Sequence, residues 1–292
     1  MARTSVPLSI AGSARAQTVR RAPRGAGGLI ETLIDRRRLV WQMAKREVRD
    51  RYAGQALGTL WAVAHPILLM GLYLFLFTFV FPSRTPFGGG QGGAVTYILA
   101  GLIPWMTVAD AMSRGTGAIV NEAGLVKQVV FPVEILPVKS VLAAALPQGI
   151  ATLILLLYMA IVDRHVPALA ASLPVLFLLQ LMVMIGVSYG LSSVGAYVRD
   201  LREIVQVFVS AGIFLAPILY SEDAVERIVP GFAVLLSLNP FSHLVWCYQD
   251  ALYYGRPAHP GSWLLLLVLS PAALFLGHRV FRKLKLMFGE VL

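Results

Sequence analysis

Charge is scarce in this chain. Only 14% of its 292 residues are Asp, Glu, Lys or Arg, against about 25% in ordinary soluble domains, and 57% are hydrophobic. That balance excludes a soluble globular protein, because several apolar runs approach 20 residues without a water-soluble alternative. Cysteine is nearly absent. Cys247 stands alone, so no intrachain disulfide can form, and no CxxC or Cys/His set exists to hold a metal. None of the five lysines (Lys45, Lys127, Lys139, Lys283, Lys285) follows a glycine, which excludes the phosphate-cradling Walker A loop. The chain also lacks HExxH, a Gly-x-Ser-x-Gly elbow and a dinucleotide fingerprint. Its histidines are scattered and read as packed or interfacial side chains. A non-enzymatic membrane protein is the expectation.

What is present is a series of six runs of membrane-spanning length, at about 61–81, 95–113, 141–162, 173–198, 204–220 and 263–280. Between the last two lie shorter apolar stretches, 228–238 and 241–254, split by Asn239–Pro240. Each is too short to cross about 30 Å of hydrocarbon at 1.5 Å per residue. They read as two re-entrant half-helices, with the break surrounded by protein or water. One long kinked span would instead give seven crossings and a C-terminus outside.

The basic residues decide between those topologies. Of 25 Lys and Arg, only Arg84, Arg164, Arg227 and Arg256 fall in the loops after the first, third and fifth runs. The positive-inside rule therefore predicts six crossings with both termini cytoplasmic. The net charge of +10 follows from this distribution and implies contacts with anionic membrane lipids, not nucleic acid. Residues 1–28, rich in Ala, Arg, Ser and Gly without a signal-length apolar run, read as a disordered basic cytoplasmic tail. Residues 29–292 then form one transmembrane domain. Its first element, 29–51, places Ile30, Leu33, Ile34, Trp41, Ala44 and Val48 on one stripe among charged residues, the pattern of a helix lying in the membrane interface. Beyond it, Gly54 and Gly58 share a helix face and either permit close packing or loosen the entrance to the first span.

Asp110 is the main ionisable residue inside a span, with Arg114 one turn on, so an internal ion pair is the simpler expectation than a functional acid. The semi-polar stretch "NEAGLVKQVVFPVEILP", 121–137, interrupts the apolar chain between the second and third runs. Leu125, Val126 and Val129 supply an apolar face, Glu122 and Lys127 a charged rim, and Pro132 and Pro137 a stiff exit. Such an element suits docking into another protein, and a membrane chain with no energy source points to a separate ATPase.

The stretches "LVWQMAKREVRDRYAGQALGTLWAVAHPILLMGLY", "NEAGLVKQVVFPVEILPVKSV", "YVRDLREIVQ", "PILYS" and "LNPFSHLV" resemble, in that order, the membrane subunit of bacterial polysaccharide ABC exporters. Those permeases move lipid-linked O-antigen, teichoic acid or capsular glycans across the cytoplasmic membrane. The resemblance implies an all-α type-2 ABC exporter fold: an interface helix, six spans and two re-entrant helices before the last. It implies a homodimer bound to two ATP-binding subunits, with ATP and Mg held by that partner and no cofactor in this chain. Carried onto this sequence, Asn121, Glu122, Leu125, Val126 and Lys127 fall in the coupling helix. Arg199, Asp200 and Arg202 fall in the second cytoplasmic loop, and Arg46 and Arg49 at the end of the interface helix. On that reading two copies enclose a path lined by the first and fifth spans, where Tyr73, Phe77, Phe81, Phe208, Phe214 and Tyr220 offer aromatic faces to a hydrated glycan. Trp246, Tyr248, Tyr253 and Tyr254 mark either the outer exit or an interfacial aromatic belt. A drug or small-lipid exporter of the same superfamily shares this topology. A membrane glycosyl- or acyltransferase would instead use His243, Asp250 and His259 as acid and base groups.

Overall fold

The computed structural model describes residues 31, 33–80, 93–128 and 132–288. The expected tail, and with it Phe81, Arg84, Val129 and the side chain of Phe77, lies outside the described residues. Everything described is helix, turn or irregular chain, without a strand.

Helix α1 (Arg37–Arg51) is built from strong helix formers with no Gly or Pro inside it, and it buries Val40 and Ala44. Trp41 and Ile34 of the expected apolar stripe remain largely exposed. After α1 the chain turns through Gly54 and Gly58, with φ of +79° and +50°. A Cβ at either position would touch nothing within 4 Å, so these glycines serve left-handed turns and not the close helix packing entertained from their spacing.

Five helices are long and apolar enough to cross a membrane. They are Gly58–Phe75, whose α-helical part is α2 (Trp61–Phe75); α3 (Ala94–Gly117); Ile135–Asp163, beginning as α5 (Ile135–Tyr158); Ala168–Gly195, containing α6 (Leu173–Gly195); and Pro260–Met287, containing α11 (Pro260–Leu284). The short α4 (Ala123–Gln128) joins the second and third of these. The predicted fifth span, 204–220, is only partly helical: α7 (Leu201–Leu215) is 15 residues long, stops before Ala216 and is not among the five. Pro217 accounts for the stop, because the residue before a proline is pushed out of helical conformation, and Ala216 sits at φ −117°, ψ 152°. Beyond lie α8 (Glu222–Glu226), α9 (Phe232–Leu238) and α10 (Pro240–Gln249). The chain breaks at Asn239, whose side chain accepts from the Phe241 N–H at 3.0 Å and donates to the Leu215 carbonyl at 3.0 Å. Asn239 is thus both N-cap and tether.

Two cores hold the bundle. The larger runs through the apolar length of α3, α5, α6 and α10, with Tyr97, Leu99, Leu155, Leu176 and Tyr248 fully buried. At its centre Gln148 and Gln180 exchange hydrogen bonds at 2.7 and 3.0 Å, Tyr248 Oη donates to Gln180 at 2.6 Å, and Gln180 donates to the Pro104 carbonyl at 3.1 Å. Four elements are tied by one satisfied polar knot, the only economical way to keep amides out of water. The smaller core gathers Val40, Ile119, Ile135, Leu136, Tyr189 and Phe281 at one end of the bundle, beneath α1 and α4. Helices α6 and α11 cross in backbone contact: a Cβ on Gly186 would lie 2.3 Å from the Ala273 carbonyl oxygen, and one on Gly277 1.9 Å from that of Gly186.

Candidate functional site

The α4 element enters through a tight turn, Val120–Glu122, and runs for six residues. Leu125 and Val126 are half-buried and pack on the smaller core, beside Val40 and Ile119. The apolar pair assigned to docking is thus shared: part of each side chain packs on the protein's own core and the rest stays open, Leu125 toward a cleft that Asn121 and Glu122 also line. Asn121, Gly124 and Lys127 are exposed and form the outward face.

Glu122 does more than decorate a rim. It takes an ion pair from Lys139 Nζ at 2.5 Å, and the same ammonium lies 3.5 Å from Glu47 of α1. Ser140 Oγ adds a bond to Glu47 at 3.4 Å. Lys139 belongs to α5 and is buried, so α1, α4 and α5 meet at one charge. Neither Lys139 nor Glu47 was among the expected site residues. The available signal was a single lysine in an otherwise apolar opening turn, "ILPVKSV". A second tie at this end joins Lys285 to Glu134 at 2.6 Å.

Arg46, Asn121, Glu122 and Arg202 line one cleft of about 690 Å³, together with Arg51, Asp110, Arg114 and Lys139. Arg49, Arg199 and Asp200 are exposed outside it. The expected Asp110–Arg114 pair forms at 2.9 Å, and Arg51 joins the same Oδ1 at 2.8 Å. Asp110 Oδ2 is buried and has no hydrogen-bond partner among the described residues.

The aromatics divide differently from expectation. Tyr73 packs inward on the larger core, whereas Phe75 and Phe79, with centroids 5.6 Å apart, are the exposed pair on this stretch. Phe208 is partly exposed and sits against Trp105 and Phe241, Phe214 is 64% exposed, and Tyr220 folds back to donate to the Phe214 carbonyl at 2.7 Å. Trp246, Tyr248 and Tyr253 are buried, so they form neither a lipid-facing belt nor an open exit.

At the opposite end of the bundle Asp250, fully buried, accepts from the His259 backbone N–H at 3.0 Å and from Trp263 Nε1 at 2.9 Å, and its Oδ1 lies 2.8 Å from His259 Nδ1. His259 Nε2 faces Glu222 at 3.6 Å, and Trp246 stacks on the ring at 5.2 Å and 11°. Burial pushes this imidazole down, but the hydrogen bonds and charges of Asp250 and Glu222 outweigh it and hold it up at about 9. His243 stands apart, bonded to Ser262 and to the Ser237 carbonyl. Two of the three residues considered as acid and base thus meet, but as a cation clamped between carboxylates, with no free imidazole nitrogen to accept a proton.

These features define a multi-span helical membrane protein with a polar network at each end of the bundle. The chain matches the model of the ABC-2 type transporter family over residues 38–253, and it belongs to that family. It is 28% identical over 263 residues to the O-antigen export system permease protein RfbA of Myxococcus xanthus, covering 90% of this chain and 98% of that one. A second O-antigen export system permease protein RfbA, from Klebsiella pneumoniae, is 24% identical over 86% of this chain and 93% of its own. The polysialic acid transport protein KpsM of Escherichia coli is 23% identical over 81% and 90%.

Proposed function

We propose that this chain is the membrane subunit of an ATP-driven exporter carrying lipid-linked polysaccharide, O-antigen or a related glycan, across the bacterial cytoplasmic membrane. The observation that carries the reading is similarity over nearly the whole length of O-antigen export permeases. ATP and Mg belong to a separate ATP-binding subunit, present twice beside a permease homodimer.

In this reading both termini are cytoplasmic, with residues 1–28 a basic tail and 29–292 the transmembrane domain. Helix α7, roughly 22 Å long at 1.5 Å per residue, continues through the turn 216–220 as the fifth of six crossings. That turn is anchored by Tyr97 Oη on the Tyr220 carbonyl at 3.1 Å and by Gln249 on the Pro217 carbonyl at 2.8 Å. The pair α9 and α10 dips in and returns, with Asn239–Pro240 at its break.

The coupling residues are Asn121, Glu122 and Lys127, with Leu125 and Val126 as their inner anchor, and Arg46, Arg49, Arg199, Asp200 and Arg202 around them. Force delivered to α4 reaches α5 and α1 together through Lys139. The exposed faces of α2 and α7 line the path between two copies, which gives Phe79, Phe208 and Phe214 a surface for sugar rings.

The test is co-purification. A tag on the permease should bring down the ATPase, and Asn121→Ala/Lys127→Glu should lower stimulated ATP hydrolysis and export without lowering the yield of folded permease. A permease that purifies alone, with that double substitution silent, would end the exporter reading.

A further inference from the structure

A cavity of about 500 Å³, sharing no residue with the polar cleft, opens as a trough beneath α1. Leu33, just before α1, and Arg37 and Trp41 within it recur at four-residue spacing along one wall, and Val138 and Leu142 of α5 do so along the other. Val40 and Val138 are buried and form the floor. Arg37 and Arg38 are exposed and form the rim. Trp41, 44% exposed, stands at the mouth, with Lys45 Nζ 5.2 Å from its ring centroid.

The two rim arginines have no ion-pair partner among the described residues, whereas Arg46 pairs with Asp50 and Arg51 with Asp110. Glu31 and Asp35, the acids nearest them in sequence, are exposed and form no ion pair among those residues either. An apolar floor under an uncompensated cationic rim is complementary to one kind of molecule, an acyl chain ending in an anionic head. Each guanidinium can offer a phosphate two parallel N–H groups while its stem lies along the apolar wall. The chain's own tail is a poor occupant. Residues 1–28 hold Arg3, Arg15, Arg20, Arg21 and Arg24 without a single acid, so the rim repels them.

We propose that this trough binds one anionic membrane phospholipid, its phosphate on Arg37 and Arg38, one acyl chain between α1 and α5 and the second in the bilayer. The lipid is a resident of the fold and not the carrier of a cargo, so the inference goes beyond glycan export and is independent of what the protein transports. It acts as cement. The chain fills the gap between α1 and α5 beside Lys139, the neighbour of Val138, whose ammonium lies 3.5 Å from Glu47 of α1.

Tryptophan quenching in the purified full-length protein tests the site. The probes are phosphatidylglycerol and phosphatidylcholine, each brominated on one acyl chain and added in an uncharged detergent. Bromine quenches an indole that it touches, so the difference between the natural protein and Trp41→Phe isolates the signal from the trough. Half-quenching of Trp41 should need about tenfold less phosphatidylglycerol than phosphatidylcholine. Arg37→Gln/Arg38→Gln should bring the two lipids together by weakening phosphatidylglycerol alone. Arg282→Gln/Lys283→Gln, which removes two exposed charges from the end of α11, should leave the gap as it is. Excess phosphatidylglycerol should also raise the melting temperature of the natural protein by about 3 °C, and that of the Arg37/Arg38 variant by much less.

Should the double variant not fold, either single change takes its place: a narrowed gap supports the site and an unchanged one overturns it. Equal quenching by both lipids in the natural protein would reduce the trough to ordinary contact with lipid tails and overturn the proposal. A gap narrowed as much by Arg282→Gln/Lys283→Gln would do the same, since the attraction would belong to the whole basic surface. A Trp41 that neither lipid reaches is covered by the tail or by a second copy, which also overturns it. Tight binding without a rise in melting temperature overturns the cementing role.

Discussion

The first and second membrane helices are similar in composition and opposite in surroundings. The apolar window of α3 is 83% buried within the protein, and that of Gly58–Phe75 only 11%. Hydrophobicity does not separate them, because a lipid tail is as apolar as a leucine and offers a helix no reason to leave it. What separates them is the size of side chains and the company they permit. Gly101 and Gly115 let α3 touch Val245 and Ser188, and Thr107 and Thr116 return their hydroxyls to the Ile103 and Met112 carbonyls. Along α2 large side chains point outward: Ile67, Leu68, Leu72 and Phe75 are all exposed. The buried helix is a spine. The exposed one keeps most of its side chains outside the chain's own core.

Glycine substitutions test this contrast most harshly. A Cβ at Gly115 would sit 2.4 Å from Ser188 Oγ and 3.2 Å from its Cα, whereas Gly71 in α2 has nothing within 4 Å. Gly115→Leu is expected to cost about 3 kcal/mol through overpacking, and Gly71→Leu less than about 0.5 kcal/mol in the isolated chain, both read as thermal stability in detergent. Equal costs would erase the distinction between the helices. Next in size, Lys139→Met strands Glu47 and Glu122 and should cost about 2 kcal/mol, while Lys139→Arg should retain most of that. If Lys139 also carries force, export per ATP hydrolysed should fall in the Met variant and recover in the Arg variant.

Smaller still is Tyr248→Phe, which removes the 2.6 Å bond to Gln180 and should cost about 1 kcal/mol. At His259 the effect depends on pH. Its folded value is raised to about 9 from 6.5, so the stabilisation is full below pH 6.5 and fades as pH rises through 9. Melting temperature should therefore decline between pH 7 and pH 9.5 more steeply in the natural protein than in His259→Gln. Parallel pH profiles would remove the clamp.

Much of this was legible in the sequence. The apolar runs, the break at Asn239–Pro240, the Asp110–Arg114 pair and the short element after α3 all follow from spacing and residue type. What spacing does not say is which apolar surface meets lipid, which meets a partner and which meets the chain itself. Leu125 and Val126 read as a wholly open face, whereas residues brought from α1 and the ends of the spans take up part of their surface and leave the rest exposed. The same blindness applies to Trp246, Tyr248 and Tyr253, whose rings are amphipathic enough for an interface yet are enclosed by the bundle. Lys139 shows the limit most plainly, since its two acidic partners lie 92 and 17 positions away.

The crossing of α6 and α11 at Gly186 and Gly277 has a mechanical consequence. With backbone against backbone, neither helix can slide along the other without atomic overlap, and no side chain there can change rotamer to yield. The crossing behaves as a weld that tolerates no filler: any side chain larger than glycine at Gly186 or Gly277 has to prise the two helices apart before it can fit.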